Sequence, residues 1–256
     1  MTKLPLSVFI IAKDEQDRIP ATINSVINWV AEIIVVISEP TDATVAVAEK
    51  LGAKVIFNNF QGYGPQKVFA EKSCANDWVL NLDADEEITP KLAVEIQNLF
   101  KPEPAVKAYR LKIHALYNHQ KKLPLLPAGT TQVRLYNRKF AGFKDSKIHD
   151  SVVLNSGVAE KTLCGSVIHR SFRSYAHMMD KINSYTTMQA EDLYARGKYP
   201  STFKIIYTPF LFFLKCYFLK RYVFYGIEGF THAWIYSAAK TLRLAKAREL
   251  FWNHKK

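Results

Sequence analysis

The first hundred residues alternate between short apolar runs and stretches with helical periodicity. The apolar runs are rich in aliphatic and β-branched residues, as is typical of strands covered on both faces. They occupy positions 6–12, 32–37, 54–57 and 78–83.

Between these runs the pattern predicts helices, and Pro20, Gly52 and Pro90 stand where a helix is expected to start or end. The predicted helices cover 20–29, 41–51, 64–75 and 90–100. Repetition of strand, helix and strand with short links predicts an α/β fold, Rossmann-like, whose mainly parallel sheet carries helices on both faces.

The pattern changes from about residue 101, where Pro102 and Pro104 interrupt the chain. Strand-like pieces follow, the segment 149–169 is irregular, and helical signals return after Ser174. The strand-like pieces are 108–115 and 131–137, and the helical ones include an apolar run at 205–219 and a long helix at 230–251. We therefore predict three parts, 1–105, 106–200 and a helical C-terminal extension, 201–256.

The net charge of +12 is distributed unevenly. Residues 1–100 hold 8 Lys and Arg against 14 Asp and Glu, a net of −6, whereas residues 101–256 hold 27 against 9, a net of +18. Such an excess predicts that the basic part faces an anionic partner. A nucleic-acid-binding module is the alternative from another class, but no recognised binding motif is present.

The three cysteines are Cys74, Cys164 and Cys216, far apart and without a CxxC pair. This spacing argues against a disulfide framework or a zinc site and favours a reducing cytoplasm.

The first apolar run is short and is followed at once by Lys13, so we expect a buried strand and no secretory signal.

Two carboxylates, Asp83 and Asp85, follow directly from the predicted strand at 78–83. In parallel sheets ligands bind beyond the carboxyl ends of the strands. Paired carboxylates there suit Mg²⁺ or Mn²⁺ shared with substrate phosphates, and such an ion offsets charge on a departing nucleotide diphosphate. The plainer interpretation, an acidic loop before the helix at Pro90, is less favoured because of the strand-end position.

Three motifs together resemble the family 2 glycosyltransferases, which have a GT-A-type fold. They are SVFIIAKDE at 7–15, GYGPQK at 62–67 and WVLNLDADE at 78–86. Within that family the chain is most similar to bacterial lipopolysaccharide-core β-glucosyltransferases, and the similarity continues through 147–150, 171–185 and the C-terminal helices. The resemblance implies that 1–105 binds the nucleotide-sugar and that 106–200 binds the acceptor and contributes to catalysis.

The resemblance also assigns roles to donor-site residues. Asp85 would hold the metal, and Asp83 the donor's ribose or the metal. Glu15 would contact the nucleoside, with Ala12 beside it.

For the acceptor side the resemblance implies that Asp150, in Lys-Ile-His-Asp, is the general base. His149 would orient that base, although a packed, hydrogen-bonded histidine is an equal alternative. His169 lies in another stretch that matches the family, and the sequence assigns it no role.

The chain departs from the family after its second strand. Where relatives have an acidic residue that contacts the base, this chain has Ile37, and glycines are replaced by Glu39 and Ala43. Glu39 or Asp42 are candidates for the missing contact. The sequence therefore defines the identity of the donor's nucleotide less well than it defines the type of reaction.

The apolar run at 205–219 contains about 15 residues, fewer than the roughly 20 that a membrane span needs, and includes Pro209 and Lys215. Interleaved aromatic and basic residues favour a segment that lies in the membrane interface; a buried core helix is the equal alternative. We therefore expect a cytoplasmic protein held peripherally on the inner face of the cytoplasmic membrane.

Taken with its motifs, the resemblance implies an inverting, metal-dependent transferase that uses UDP-glucose. The acceptor would be an anionic glycolipid, a heptose of the lipopolysaccharide inner core. Polyprenyl phosphate, a capsule or a protein are the alternative acceptors.

Overall fold

The computed structural model describes residues 3–101, 103–117, 120–144 and 151–253. The chain forms two compact units. The first consists of Met1–His114 with Thr130–His169, and the second of Ala115–Gly129 with Arg170–Lys256. The boundaries between these two units differ from the boundaries at 105 and 200 that we predicted from the sequence.

The first unit is built on an eight-stranded sheet in the order β3-β2-β1-β4-β7-β6-β10-β5, and a separate pair is formed by β8 and β9. The strands are β1 (Leu4–Ala12), β2 (Val30–Ile37), β3 (Lys54–Phe57), β4 (Trp78–Asp83), β5 (Glu86–Ile88), β6 (Ala108–Ala115), β7 (Gly129–Asn137), β8 (Ala141–Phe143), β9 (Val152–Leu154) and β10 (Glu160–His169). Strands β3, β2, β1 and β4 are mutually parallel. Antiparallel pairing joins β4 to β7 and β5 to β10.

Helices cover both faces of this sheet. They are α1 (Ile19–Asn24), α2 (Thr44–Lys50), α3 (Tyr63–Lys72) and α4 (Pro90–Leu99). Strand β1 has apolar side chains on both faces, and each face packs on different helices. Val8 and Ile10 lie in a core shared with α1, α2 and α4, whereas Phe9 lies in a second core shared with α3. This alternation is the two-residue period of a strand buried on both sides. The predicted fold class is confirmed.

Helix α4 and strand β10 pack unusually closely. A Cβ atom on Gly165 would lie 2.5 Å from the Cα of Leu92, so only glycine fits there. The carboxylate of Glu95 accepts hydrogen bonds from the backbone N–H groups of Cys164 and Gly165, at 2.8–3.0 Å. Helix α4 therefore fixes the path of β10, which ends at His169.

Two expectations about secondary structure were wrong. The segment 149–169, expected to be irregular, contains β9 and β10 within its described part, 151–169. In β10 only alternate positions from Leu163 to Val167 are buried, and one of them is Gly165, so the segment has no continuous apolar run that would stand out. The helix predicted for 20–29 ends at Asn24 and continues as turns.

The second unit is mainly helical. It contains α5 (Tyr175–Ala195), α6 (Thr202–Leu214), a π-helical turn (Lys215–Leu219), a 3₁₀ turn (Tyr222–Tyr225) and α7 (Gly226–Asn253). The hydroxyls of Ser174 and Ser201 accept hydrogen bonds from the first turns of α5 and α6, as expected of helix N-caps. Helix α7 packs against both α5 and α6.

One helical segment in the described part of the chain, Thr202–Leu219, has the length and composition that could cross a membrane. Only 6% of it is buried. It is therefore not the buried core helix that the sequence left open.

Candidate active site

The carboxyl ends of the parallel strands lie side by side. Ala12, Ile37 and Phe57 are the last residues of β1, β2 and β3 and are in register with one another. On the other side of β1, Asp83 ends β4 opposite Ile11. The side chains and loops at these strand ends, here called the donor edge, occupy the position where α/β sheets bind ligands.

Two buried cations hold Asp83. Lys67 Nζ lies 2.9 Å from one carboxylate oxygen, and Arg134 Nη2 lies 3.2 Å from the other. The Lys67 and Arg134 side chains are only 3% and 6% exposed. Burial by itself would raise the pKa of Asp83, but the charges of Lys67 and Arg134 outweigh it and hold that pKa far below its usual range.

Arg134, in β7, also contacts side chains of β4 and β5. It donates to the side-chain oxygen of Asn81 in β4, and its Nη2 lies 3.1 Å from Glu86 Oε1 in β5. Glu86 in turn accepts from the backbone N–H of Asp83 at 2.9 Å. Burial raises the pKa of Glu86, and the nearby charge of Arg134 offsets only part of that rise. These contacts fix the turn between Asp83 and Asp85.

Asp85 lies between Arg18 and His169. Arg18 Nη1 is 3.1 Å from one of its oxygens, and His169 Nε2 is 3.3 Å from the other. Burial would raise the pKa of Asp85, but the hydrogen bond from His169 and the charge of Arg18 lower it below its usual value. Burial conversely lowers the pKa of His169, and its contact with Asp85 raises it above the ordinary value. Each of the two groups therefore favours the charged form of the other.

Strand pairing explains the position of His169. It is the last residue of β10 and lies opposite Glu86 of β5 in the antiparallel ladder. Although it is 84 positions away in the chain from Asp85, this pairing brings it to the donor edge.

The residues at this edge fit a divalent cation. Asp85 Oδ1 and His169 Nε2 are 3.3 Å apart, close to the roughly 3.0 Å between adjacent ligands that each lie about 2.1 Å from one ion. The imidazole would have to be neutral to ligate. No group of three or more His, Cys, Asp or Glu side chains suited to a metal occurs among the described residues. An ion held by Asp85 and His169 alone would take its remaining ligands from water or from substrate oxygens.

The other predicted donor residues also lie at this edge. Ala12 ends β1 and is 8% exposed. Both carboxylate oxygens of Glu15 accept hydrogen bonds from Arg18, at 2.7 and 2.5 Å, and the Glu15 backbone N–H donates to the Thr44 hydroxyl at 2.7 Å. Glu15 is thus connected to Asp85 through Arg18.

The substituted position Ile37 is fully buried in the core below β2. Of the two candidates for the missing acidic contact, Glu39 is an exposed residue 3.6 Å from Lys13 Nζ. Asp42 accepts from the backbone N–H groups of Gln16 and Thr44, at 3.1 and 2.8 Å.

His149 and Asp150 lie outside the described residues, so the roles expected of them remain predictions. Three residues that sequence reasoning missed are Arg18, Lys67 and Arg134. Lys67 lies in the motif at 62–67, and Arg134 interrupts an apolar strand pattern. A charged side chain at a buried position needs a partner, and that was the available signal.

The family model for glycosyl transferase family 2 matches residues 7–159. The chain belongs to glycosyltransferase family 2. A glycosyltransferase of Rickettsia felis is 43% identical over 253 residues, which cover 95% of this chain and 89% of the relative. The lipopolysaccharide core biosynthesis glycosyltransferase LpsC of Rhizobium meliloti is 29% identical over 90% of this chain and 87% of its own length.

Among solved structures, glucosyl-3-phosphoglycerate synthase from Mycobacterium tuberculosis, crystallised with Mn²⁺, UDP and phosphoglyceric acid, is 17% identical. The match covers 74% of this chain and 78% of that one, with a TM-score of 0.46. Family membership confirms that the protein is an enzyme that transfers sugars.

Proposed function

We propose that this glycosyltransferase moves glucose from UDP-glucose to the inner core of lipopolysaccharide, with inversion at the anomeric carbon and with Mg²⁺ or Mn²⁺. The observation that carries the proposal is the meeting of Asp83, Asp85 and His169 at the donor edge. The name of the relative LpsC and the excess of positive charge after residue 100 support an anionic core acceptor.

In this mechanism each part of the edge has a separate task. Lys67 and Arg134 keep Asp83 ionised and fixed, and Arg18 holds Asp85 to the loop that contains Glu15. A divalent ion held by Asp85 and His169 would offset the charge that develops on the leaving diphosphate.

On the acceptor side, Asp150 takes the proton of the attacking hydroxyl, with His149 orienting it, as the family resemblance implies. The hydroxyl attacks from the face opposite the nucleotide, through a transition state with oxocarbenium character.

The test is a donor and acceptor assay on the full chain. UDP-glucose, GDP-glucose and ADP-glucose are offered with Mn²⁺ and lipopolysaccharide truncated to its inner core, and transfer is followed by mass spectrometry. We expect one added hexose with UDP-glucose, and none when the divalent ion is chelated. Transfer to polyprenyl phosphate but not to the core would show that the proposed acceptor is wrong, whereas the proposed glucosyl transfer would stand.

A membrane-bound acceptor agrees with an apolar stripe on the second unit. Exposed apolar side chains recur every three or four residues along α6 and the π-helical turn, so they share one side of the helix. They are Phe203, Ile206, Phe210, Leu214 and Phe218. The opposite side packs on α7, where Phe213 contacts Phe230 and Trp234.

Basic residues accompany this stripe, since Lys204, Lys215, Lys220 and Arg221 are all exposed. An apolar face flanked by cations is typical of segments that lie in the surface of an anionic membrane. The proposal includes peripheral attachment of the protein to the inner face of the cytoplasmic membrane through this stripe.

A further inference from the structure

At the end of the donor edge farthest from Asp83, the exposed side chains are aromatic. Phe57, which ends β3, is 61% exposed. The chain then stays beside β2, because the N–H of Asn58 donates to the carbonyl of Ile37 at 3.0 Å. Next come Phe60 and Tyr63, which are 49% and 36% exposed and form an edge-to-face pair with centroids 5.3 Å apart.

The loop that carries this pair is held in place. Asn58 Nδ2 donates to Gln66 Oε1 at 2.8 Å, and Gln66 is only 2% exposed. Tyr63 and Lys67 are four residues apart on α3 and therefore lie on the same side of the helix. One face of α3 thus connects the aromatic pair to the cation that binds Asp83.

Carboxylates on this side of the edge serve the loops themselves. Asp42 accepts from two backbone N–H groups, and Asp14 accepts from the N–H of Thr41 at 2.7 Å. Glu39 is paired with Lys13. With Ile37 buried in the core, the last position of β2 itself carries no carboxylate.

The dimensions fit a nucleotide. From β4 to β3 the edge crosses three strand spacings of about 4.8 Å each, or roughly 14 Å. A nucleoside diphosphate with its phosphates at Asp83 and Asp85 would extend along this edge with its base toward β3.

We propose that the base of the sugar-nucleotide donor stacks on the aromatic pair Phe60–Tyr63, in place of a hydrogen bond to a carboxylate at the end of β2. This inference rests on the proposed function, since it takes the diphosphate to lie at Asp83 and Asp85. It goes further in defining how the base is recognised. Every base has an aromatic face, so stacking discriminates weakly between bases. Recognition by buried hydrogen bonds is far more selective.

The experiment is isothermal titration of the full chain with UDP and with inorganic pyrophosphate, both in the presence of Mn²⁺. Phe60→Ala should raise the Kd for UDP by about tenfold, the usual scale for loss of a stacked base. The Kd for pyrophosphate, which has no base, should not change. Phe60→Trp should keep UDP affinity within about twofold, since it keeps an aromatic face.

Phe140→Ala is the matched control, because Phe140 is a comparably exposed phenylalanine (37%) that follows β7 and lies outside the donor edge. It should leave both affinities unchanged. The wild-type protein should bind UDP, CDP, GDP and ADP with Kd values within about tenfold of one another.

Two negative results are distinguishable. Wild-type protein that binds neither UDP nor pyrophosphate with Mn²⁺ would overturn the proposed donor site and the stacking together. Protein that binds UDP equally well with and without the Phe60 ring would overturn the stacking alone.

Discussion

Asp85 is the residue on which the proposed donor site most depends. Its two carboxylate oxygens contact different partners, Arg18 and His169, so a divalent ion held there would lie next to the turn between β4 and β5. Asp85→Asn keeps the shape of the side chain and removes its charge. We expect Mn²⁺-dependent UDP binding to weaken by at least about tenfold, measured by titration calorimetry, since hydrogen bonds and ion contacts to a charged group contribute about 1.5–3 kcal/mol.

Asp77→Asn is the control for that variant, because Asp77 is an exposed aspartate of the same unit paired with Lys139. It should bind UDP as the wild type does. Equal UDP affinity in the Asp85 and Asp77 variants would show that Asp85 does not bind the metal ion.

Asp150 carries the chemical step in the proposed mechanism. Asp150→Asn removes basicity while keeping size, so kcat should fall by about 10²–10⁴-fold. The Kd for UDP should stay near that of the wild type, because in this mechanism the base acts on the acceptor hydroxyl and not on the nucleotide. A variant that transfers glucose at nearly the wild-type rate would show that another carboxylate is the base.

Glu71, a buried carboxylate away from the donor edge, allows a test of how a buried charge affects the stability of the fold. It lies on α3, 7% exposed, and accepts from the backbone N–H of Phe143 at 3.1 Å. Burial raises the pKa of Glu71 above its usual value, against smaller opposing effects of that hydrogen bond and of Arg138. A raised folded-state pKa means that its contribution to stability is complete below the unfolded pKa and is lost as pH rises through the folded one.

Glu71→Gln should therefore raise the Tm relative to the wild type at pH 7. The difference should become small by about pH 3, below the unfolded-state pKa of roughly 4.3, where the acid is mostly neutral in both states. Melting curves across this pH range, followed by circular dichroism, measure the effect. A difference that stays constant with pH would mean that the substitution acts through packing.

At the scale of elements, the apolar pattern predicted the parallel part of the sheet well. Strands β3 and β4 begin and end where the sequence indicated, because their buried runs are continuous and closed by turn residues. Strand β5 was missed because its residues include two glutamates, and Glu86 is buried only through its contact with Arg134. Periodicity carries local information, whereas such a contact joins residues 48 positions apart.

The same limit applies to the candidate site. The sequence indicated Asp83 and Asp85 because a strand-end position can be deduced from one segment. It did not indicate that Lys67, Arg134 and His169 meet them, since each comes from a different helix or strand. Which of several buried cations pairs with which carboxylate depends on tertiary packing.

The close packing of α4 on β10 gives an element-scale prediction. Gly165→Ala would place a methyl group 2.5–2.7 Å from backbone atoms of Leu92. Overpacking of this kind costs about 1–3 kcal/mol, so the urea midpoint should fall. Cys164→Ala, an exposed change at the preceding residue, should leave the midpoint nearly unchanged. Equal midpoints for the two variants would mean that α4 and β10 can separate at little cost.

At the scale of the whole molecule, membrane attachment is the property to test. Each cation near an anionic surface contributes about 1 kcal/mol, so the protein should sediment with phosphatidylglycerol vesicles at low salt and be largely released at 1 M NaCl, where the Debye length is about 3 Å. Replacing Phe210 and Leu214 by serine should weaken binding further. The control Val94→Ser changes an apolar residue of the first unit that is 57% exposed and should have no effect.

Retention by vesicles in high salt and alkali, with release by detergent only, would contradict peripheral attachment. It would instead assign the segment Thr202–Leu219 to a membrane span, which its length and composition permit.

Helix α3 has a consequence for how this chain can change over generations. Its buried face is largely polar, since Gln66, Lys67 and Glu71 each make a bond in a defined direction. Ordinary core positions accept exchanges among leucine, isoleucine and methionine with little loss, but a directed polar bond has no such set of substitutes. Mutations should therefore be eliminated more often in this ten-residue helix than in apolar strands such as β1. In a lineage of descendants, a slow rate of change along α3 would reflect the geometry of its polar contacts as much as the demands of catalysis.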